Sequence, residues 1–417
     1  MKHSIAGFYQ DIFNLSRHSP QQDAYLPYQD GQLLIVQNPE SAKHILGKNL
    51  HNYPKRYDWF RQCIGISRFT ENFPKWQNLK RVSQPFFNGF DKTLLLSTIN
   101  DVMVEYRSRL ISDKKQDQDQ RQDTFNEPLI REMATDIFCR TFFDFKVTDL
   151  SLNFESITEL LSLALQHAFI KPGELPGSMD TAVYQRIFTL RKEMLKGFKQ
   201  LRDPQFHKSP FIQEIFKADQ AGELFFEHEL MFIFSIGIET TVHSLGWILY
   251  ILAKHPELQH AIKKEISTNI TTNSSHEDYA NLKEVSNIID WALRRYPPTP
   301  CISREALAAD QIGDFKVQKG EAVIISILGL LYNPEDDIEK WLLNRHNDLN
   351  HNLAFGYGQR ICGGKQYATV ELIYLVTALL QNFDCELVKD EPVVFHWYAQ
   401  LNRLGGHPIR LIDNQSA

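Results

Sequence analysis

The sequence predicts a mainly α-helical protein with small β-sheets, and three observations carry that prediction. Residues 230–253 form an apolar run of helical length that ends at Lys254-His255-Pro256. Residues 365–382 place Val370, Ile373, Leu375, Val376, Ala378, Leu379 and Leu380 at mixed spacings of two, three and four, as a largely buried helix would. Strand-like runs, by contrast, are few and short, such as 31–36 and the turn into strand over 317–325. No linker or internal repeat interrupts the 417 residues, so residues 1–417 are expected to form a single large unit, big enough to enclose a cofactor.

In chain order, a polar N-terminal helix precedes the strand 31–36 and a helix over 39–46. Residues 49–73 mix aromatic and charged side chains without a clear period. Trp76 to Arg81, followed by Phe86 and Phe87, comes next, and helices are expected over 127–143 and 154–170 by apolar spacing. Residues 171–178, with Pro172, Gly173, Pro176 and Gly177, predict a loop, as do the polar stretches 112–123 and 271–278. The long apolar run has enough length for a membrane span, but Glu239, Thr240, Thr241 and His243 lie in its middle. An ionisable group at bilayer depth is expensive, so a helix crossing a protein core is the better expectation. Another helix ends at Tyr296-Pro297-Pro298, and residues 396–411 predict a strand and turn.

Composition narrows the function classes. The net charge of −6 gives no basic footprint for nucleic acid. Cys63, Cys139, Cys301, Cys362 and Cys385 are scattered, odd in number and contain no Cys-x-x-Cys pair, so neither a disulfide framework nor a zinc knuckle is expected. The first thirty residues lack the apolar core of a signal peptide or anchor, which predicts a soluble, cytoplasmic protein with no membrane attachment.

The chemistry centres on residues 355–364, Phe-Gly-Tyr-Gly-Gln-Arg-Ile-Cys-Gly-Gly, immediately before the helix 365–382. A cysteine at a helix N-terminus meets unpaired N–H groups and the positive end of the helix dipole, which lower a thiol's pKa and favour a metal-binding thiolate. Gly358, Gly363 and Gly364 permit positive φ and close backbone approach to a flat ligand. Thiolate is one of the few protein ligands of haem iron. A buried free cysteine in a glycine-rich turn is the plainer alternative.

The decapeptide resembles the haem-binding loop of the cytochrome P450 family, Phe-x-x-Gly-x-Arg-x-Cys-x-Gly, with Phe355, Gly358, Arg360, Cys362 and Gly364 in the fixed positions. The resemblance implies a P450-like fold with haem b held between the long helix and the cysteine loop. Cys362 would be the axial ligand, with Arg360 and Arg304 meeting the propionates. Trp76 to Arg81 resembles the family's Trp-x-x-x-Arg helix, with Lys80 at the arginine position and Arg81 beside it; an ordinary surface helix is the alternative. Residues 236–241 resemble the oxygen-activation motif: Gly237 would let the helix deform over iron, while Thr240 and Glu239 would deliver protons. The plainer alternative is a Thr240 hydroxyl bonded back to its own helix. Ile236 replaces the small residue expected there. Trp291 stands where the family's Glu-x-x-Arg glutamate belongs, leaving Asp290, four residues before Arg294, as a substitute anchor with Arg345 as third partner.

Phe232, Phe234, Ile236 and Ile302 predict an apolar pocket for a small-molecule substrate, free or carrier-tethered. The implied activity is a monooxygenase receiving electrons from a separate ferredoxin or flavodoxin and its reductase, since no Gly-x-Gly-x-x-Gly fingerprint is present. Lys80, Arg345 and Lys365 are the candidate docking cations. Peroxide-driven oxygenation, desaturation or coupling, and a haem protein without catalysis, are the other readings.

Overall fold

The protein is organised around one helix, Phe226–Lys254, of 29 residues and about 44 Å in length. Glu227 and Glu229 in its first turn and Lys254 in its last complement the helix dipole, and His255-Pro256 stops it because proline cannot continue the hydrogen-bond ladder. Most of its length is buried, from Leu230 through Ala253, with the Trp247 side chain fully enclosed. The run with the length of a membrane span is therefore a core helix, as expected from its polar middle. This computed structural model describes residues 5–28, 31–111, 125–165, 181–332, 338, 353–398 and 400–414. The expected loops 112–123 and 171–178, and Arg345, lie outside the described residues.

Around the central helix pack Glu127–Phe143, Thr181–Lys199, Lys283–Arg295 and Lys365–Asn382. The helices expected over 127–143 and 365–382 appear with those bounds, and the one expected from residue 154 is described as Phe154–Leu165. Asn126 caps the first of these through its side-chain oxygen, which accepts from Leu129 N–H, with Pro128 inside the first turn. Within 39–46 the structure differs from one regular helix: Pro39–Lys43 is α-helical and His44–Lys48 widens into a π turn, closed by Asn49 N–H donating to His44 C=O at 2.8 Å. The polar stretch 271–278 runs into a short helix, His276–Ala280, started by a Ser275/Asp278 capping box.

A four-stranded sheet lies at one side, ordered Ala24–Tyr28, Gly31–Val36, Ala322–Ser326, Cys301–Glu305. The outer pairs are antiparallel and the central pair parallel, with Ile35 opposite Ile324. It has a core of its own, built from Leu34, Val36, Tyr53, Val323 and Ile325 among others, beside the larger helical core. That placement matters for the site: the sheet delivers Ile302 and Arg304 to the wall facing the central helix.

Lys283–Arg295 carries the departure from the family pattern. Trp291 is buried and its indole N–H has no hydrogen-bond partner, so it fills space where an acid was expected. Asp290, 1% exposed, accepts from Arg294 Nε at 2.7 Å, one helical turn away, which is the substitute pair that the spacing anticipates.

Candidate active site

One cavity of about 290 Å³ lies between the central helix, the sheet and the cysteine loop. The central helix contributes Phe232, Ile236, Gly237 and Thr240 to it, positions that recur at three- and four-residue spacing and so share a face. The sheet side gives Ile302 and Arg304, the Lys75–Asn88 helix gives Trp76, and the loop gives Phe355, Arg360, Cys362 and Gly364. Eleven side chains or backbones singled out from sequence thus meet in one place.

The loop is built by its own backbone. Cys362 N–H donates to Phe355 C=O at 2.8 Å and Ile361 N–H to Gly358 C=O at 3.1 Å, folding the chain so that the sulfur faces the cavity. Gly356 and Gly358 hold φ of +77° and +72°, but Gly364, at −92°, does not need glycine for its backbone angle. Gly358 lines no part of the cavity; a Cβ there would lie 2.5 Å from the Leu46 carbonyl oxygen, so its role is to let the loop pass the preceding segment. Gly363 answers a different need, since a Cβ would meet the Arg68 guanidinium.

The thiol departs from the expected lowering. Although Cys362 opens to the cavity, desolvation by the surrounding protein pushes its thiol above its ordinary value, and the N–H groups of Gly364 and Lys365, together with the Arg68 and Lys365 charges, offset only part of that. A metal bound at this sulfur would hold it as the thiolate, since coordination deprotonates a thiol outright.

Four cations, Lys55, Arg68, Arg304 and Arg360, line the cavity, and no carboxylate does so among the described residues. Burial, then the charges of Arg360, Arg304 and Arg68, hold Lys55 well below its usual range. Burial, then Arg304, brings Arg360 down to about 10. Arg304 is buried with its Nε lacking any partner. Such a set is unfavourable by itself and fits an anionic ligand. A planar group carrying two carboxylates and a metal for the sulfur matches it, so the residues present fit haem. Lys55 and Arg68 were missed from sequence because they fall in 49–73, where no period or motif marks them.

Several expected residues take other places. Arg81 is exposed and pairs with Glu223 at 2.7 Å on the surface, away from the cavity. Lys80 donates to Gln359 C=O at 3.2 Å and lies over the Trp76 ring at 4.9 Å, touching the loop from outside. Arg360 lies against both Phe73 and Trp76, each ring 4.6 Å from its guanidinium, and donates to Glu71 C=O at 3.0 Å. Phe234, about 200° round the helix from Phe232, packs among Phe138, Phe143 and Phe198 instead of the substrate wall.

Thr240 lines the cavity, and its hydroxyl donates back to its own helix, to Ile236 C=O at 3.0 Å. Glu239 does not reach it. Its carboxylate, 2% exposed, accepts from Arg131 Nε and the Thr158 hydroxyl, both at 2.7 Å. A buried carboxylate goes to the nearest buried cation, and Arg131 on the Glu127–Phe143 helix supplies it. Next along the helix, Thr241 donates to Glu371 at 2.9 Å, and Tyr367 donates to the same carboxyl at 2.9 Å.

A family model described as Cytochrome P450 matches residues 25–401. Among relatives, the chain is 23% identical over 401 residues to Protein LUTEIN DEFICIENT 5, chloroplastic, of Arabidopsis thaliana, covering 87% of this chain and 67% of that one. It is 22% identical to the Carotene epsilon-monooxygenase, chloroplastic, of the same plant, over 89% of this chain and 76% of the relative. It is also 22% identical to mouse Cytochrome P450 3A16, over 87% and 79%. With the cysteine loop, the cationic cavity and the match along most of its length, the chain belongs to the cytochrome P450 family, oxidoreductases that bind haem through a cysteine thiolate.

Proposed function

We propose that this protein is a soluble monooxygenase of apolar small molecules, forming one functional unit over residues 1–417 and drawing its electrons from a separate ferredoxin- or flavodoxin-type carrier and that carrier's reductase. The observation that carries the reading is the single cavity that unites the Cys362 sulfur with Gly237 and Thr240. Haem bound there would supply O2 reduction and oxygen transfer. The chain's own parts are the Cys362 sulfur as ligand, Arg304, Arg360 and Lys55 for the carboxylates, and Trp76 as the ring against Arg360. Thr240 Oγ1 is the hydroxyl at the cavity wall that can hold and pass a proton, and the Ile236 carbonyl fixes its direction. Phe69, Phe232, Ile236 and Ile302 present an apolar surface that orients substrate by shape and excludes water, which suits a free or carrier-tethered hydrocarbon-rich molecule.

The test is the absorption spectrum of protein recovered from a detergent-free supernatant, reduced and exposed to carbon monoxide. A strongly red-shifted Soret band is expected. A band typical of histidine-ligated or free haem would overturn the haem-thiolate reading, and recovery only with membranes would overturn the cytoplasmic location that belongs to this proposal.

An acidic carrier would dock at the cysteine loop. Tyr357 and Ile361 are exposed there, Lys365 lies over the Phe355 ring at 5.6 Å, and Lys80 contacts Gln359. Turnover with such a carrier is expected to fall as salt rises through physiological strength, because exposed charges are screened beyond about 8 Å; salt-independent turnover counts against this face. The withdrawal of Glu239 to Arg131 favours a second reading, peroxide-driven oxygenation, and turnover with peroxide but none with carriers would select it.

A further inference from the structure

We propose that Arg68 is a positioning residue that fixes a positive charge beside the cysteine ligand and so sets the reduction potential of the bound iron, an inference that rests on the haem-thiolate reading.

The geometry is specific. Arg68 comes from the segment before the Lys75–Asn88 helix, yet its side chain is 8% exposed and lines the cavity with Cys362. Its guanidinium donates through Nη1 to the Ser83 hydroxyl at 2.9 Å and through Nη2 to Gln84 Oε1 at 2.8 Å. Gln84 Nε2 then donates to Gly363 C=O at 2.8 Å, the carbonyl directly after the cysteine. A chain of two hydrogen bonds therefore ties the guanidinium to the ligand loop. The fit is close enough that a Cβ on Gly363 would lie 1.7 Å from Arg68 Nη2, so the loop makes room for this group.

The charge is not cancelled by an ion pair among the described residues. The buried acid beside it, Glu229, accepts from the Arg68 backbone N–H at 3.4 Å and the Ser83 hydroxyl at 3.3 Å; it attracts the guanidinium through space without a direct ion pair, and burial raises its carboxyl to about 7, which keeps that opposing charge partial near neutral pH. The Phe87 ring lies 5.8 Å from the guanidinium carbon and walls off that side. Arg68 and the Cys362 sulfur interact electrostatically in this low-dielectric setting. Adding one electron to the iron–sulfur unit makes it one charge more negative, so a fixed cation nearby favours the reduced form. Outer groups around metal ligands act in this way through charge and hydrogen bonding.

The experiment is a spectroelectrochemical titration of the purified holoprotein and three variants. Arg68→Gln is expected to weaken reduction about tenfold, which is about 59 mV for one electron. Arg68→Lys keeps the charge and is expected to stay within about threefold of wild type. Gln84→Glu leaves the guanidinium in place but pairs it with a carboxylate, and is expected to lower the potential as Arg68→Gln does. An unchanged potential in Arg68→Gln overturns the proposal, as does a fall in Arg68→Lys as large as that in Arg68→Gln, because charge would then not be the cause. If Arg68→Gln does not retain haem, Arg68→Met takes its place: a fall of about 59 mV supports the proposal and no change overturns it, while Gln84→Glu is read only as a check, because it also ends the donation to Gly363 C=O. The wild-type carbon monoxide band separates the two levels, since its absence defeats the haem-thiolate reading before any variant is compared.

Discussion

Gly358→Ala is expected to destabilise the protein by about 2–5 kcal/mol and to reduce haem occupancy, although Gly358 touches no part of the cavity. Two independent causes add. The backbone holds φ of +72°, where a side chain costs about 1–2 kcal/mol. The new methyl would also lie 2.5 Å from the Leu46 carbonyl oxygen and 3.4 Å from Gly47 Cα, both backbone atoms that no rotamer change can move, and such overpacking costs about 1–3 kcal/mol. Gly356→Ala is the control. It shares the positive φ, +77°, but has nothing within 4 Å of the added carbon, so a loss of only about 1–2 kcal/mol is expected. Denaturant unfolding and haem-to-protein ratio of both variants make the comparison; equal losses would show that contact with Leu46 is not what the glycine serves.

That contrast also marks what sequence could and could not reveal. Apolar periodicity located the helices that are buried along most of their length, Phe226–Lys254 and Lys365–Asn382, because burial leaves its trace directly in residue type. Lys92–Ile111, Thr181–Lys199, Pro210–Gln220 and Pro256–Asn269 were not anticipated. These helices carry many polar residues, and Pro210 and Pro256, which look like breakers in sequence, are first-turn prolines in the structure. The site followed the same rule. Residues in the contiguous cysteine motif could be recognised from spacing, and Phe355, Arg360, Cys362 and Gly364 do meet at the cavity.

Residues that act through tertiary contacts were not legible. Arg68 and Lys55 resemble any other basic residues until the fold brings them to the cavity wall, Arg68 buried and Lys55 half-buried. Conversely, Glu239 and Arg81 carried motif-like positions but found stronger partners elsewhere, Arg131 for the one and Glu223 for the other. Spacing can place a carboxylate on a helix; it does not show which cation arrives from another helix. For Trp291 the case is intermediate: sequence exposed the missing acid and offered Asp290, and Asp290 does pair with Arg294 at 2.7 Å, while Arg345, the expected third partner, lies outside the described residues.

Glu371→Gln is expected to make the protein more stable at pH 8, by about 1–3 kcal/mol, while leaving it close to wild type at pH 4.5. Glu371 is 2% exposed, and burial raises its carboxyl from 4.5 to about 7 despite the hydrogen bonds donated by Tyr367 and Thr241. The unfolded chain releases that proton near pH 4.5 and the folded chain holds it until about pH 7. Between those values the unfolded state binds fewer protons, so stability falls as pH rises; it is fully present below 4.5 and lost on passing 7. A shift of this size corresponds to about 3 kcal/mol. Glutamine has no charge to bury, and its oxygen still accepts from one hydroxyl. Its N–H2 displaces the other, and Thr241 has an alternative acceptor in Gly237 C=O at 3.4 Å, which is why the gain is set below the full linkage value. Unfolding free energies of both proteins at pH 4.5 and 8 isolate the effect, because titrations common to the two cancel in the difference. A difference that does not change with pH would mean that this carboxyl ionises in the folded protein as it does in the unfolded chain, and that the link between the central helix and the cysteine helix is carried by hydrogen bonding without stored charge.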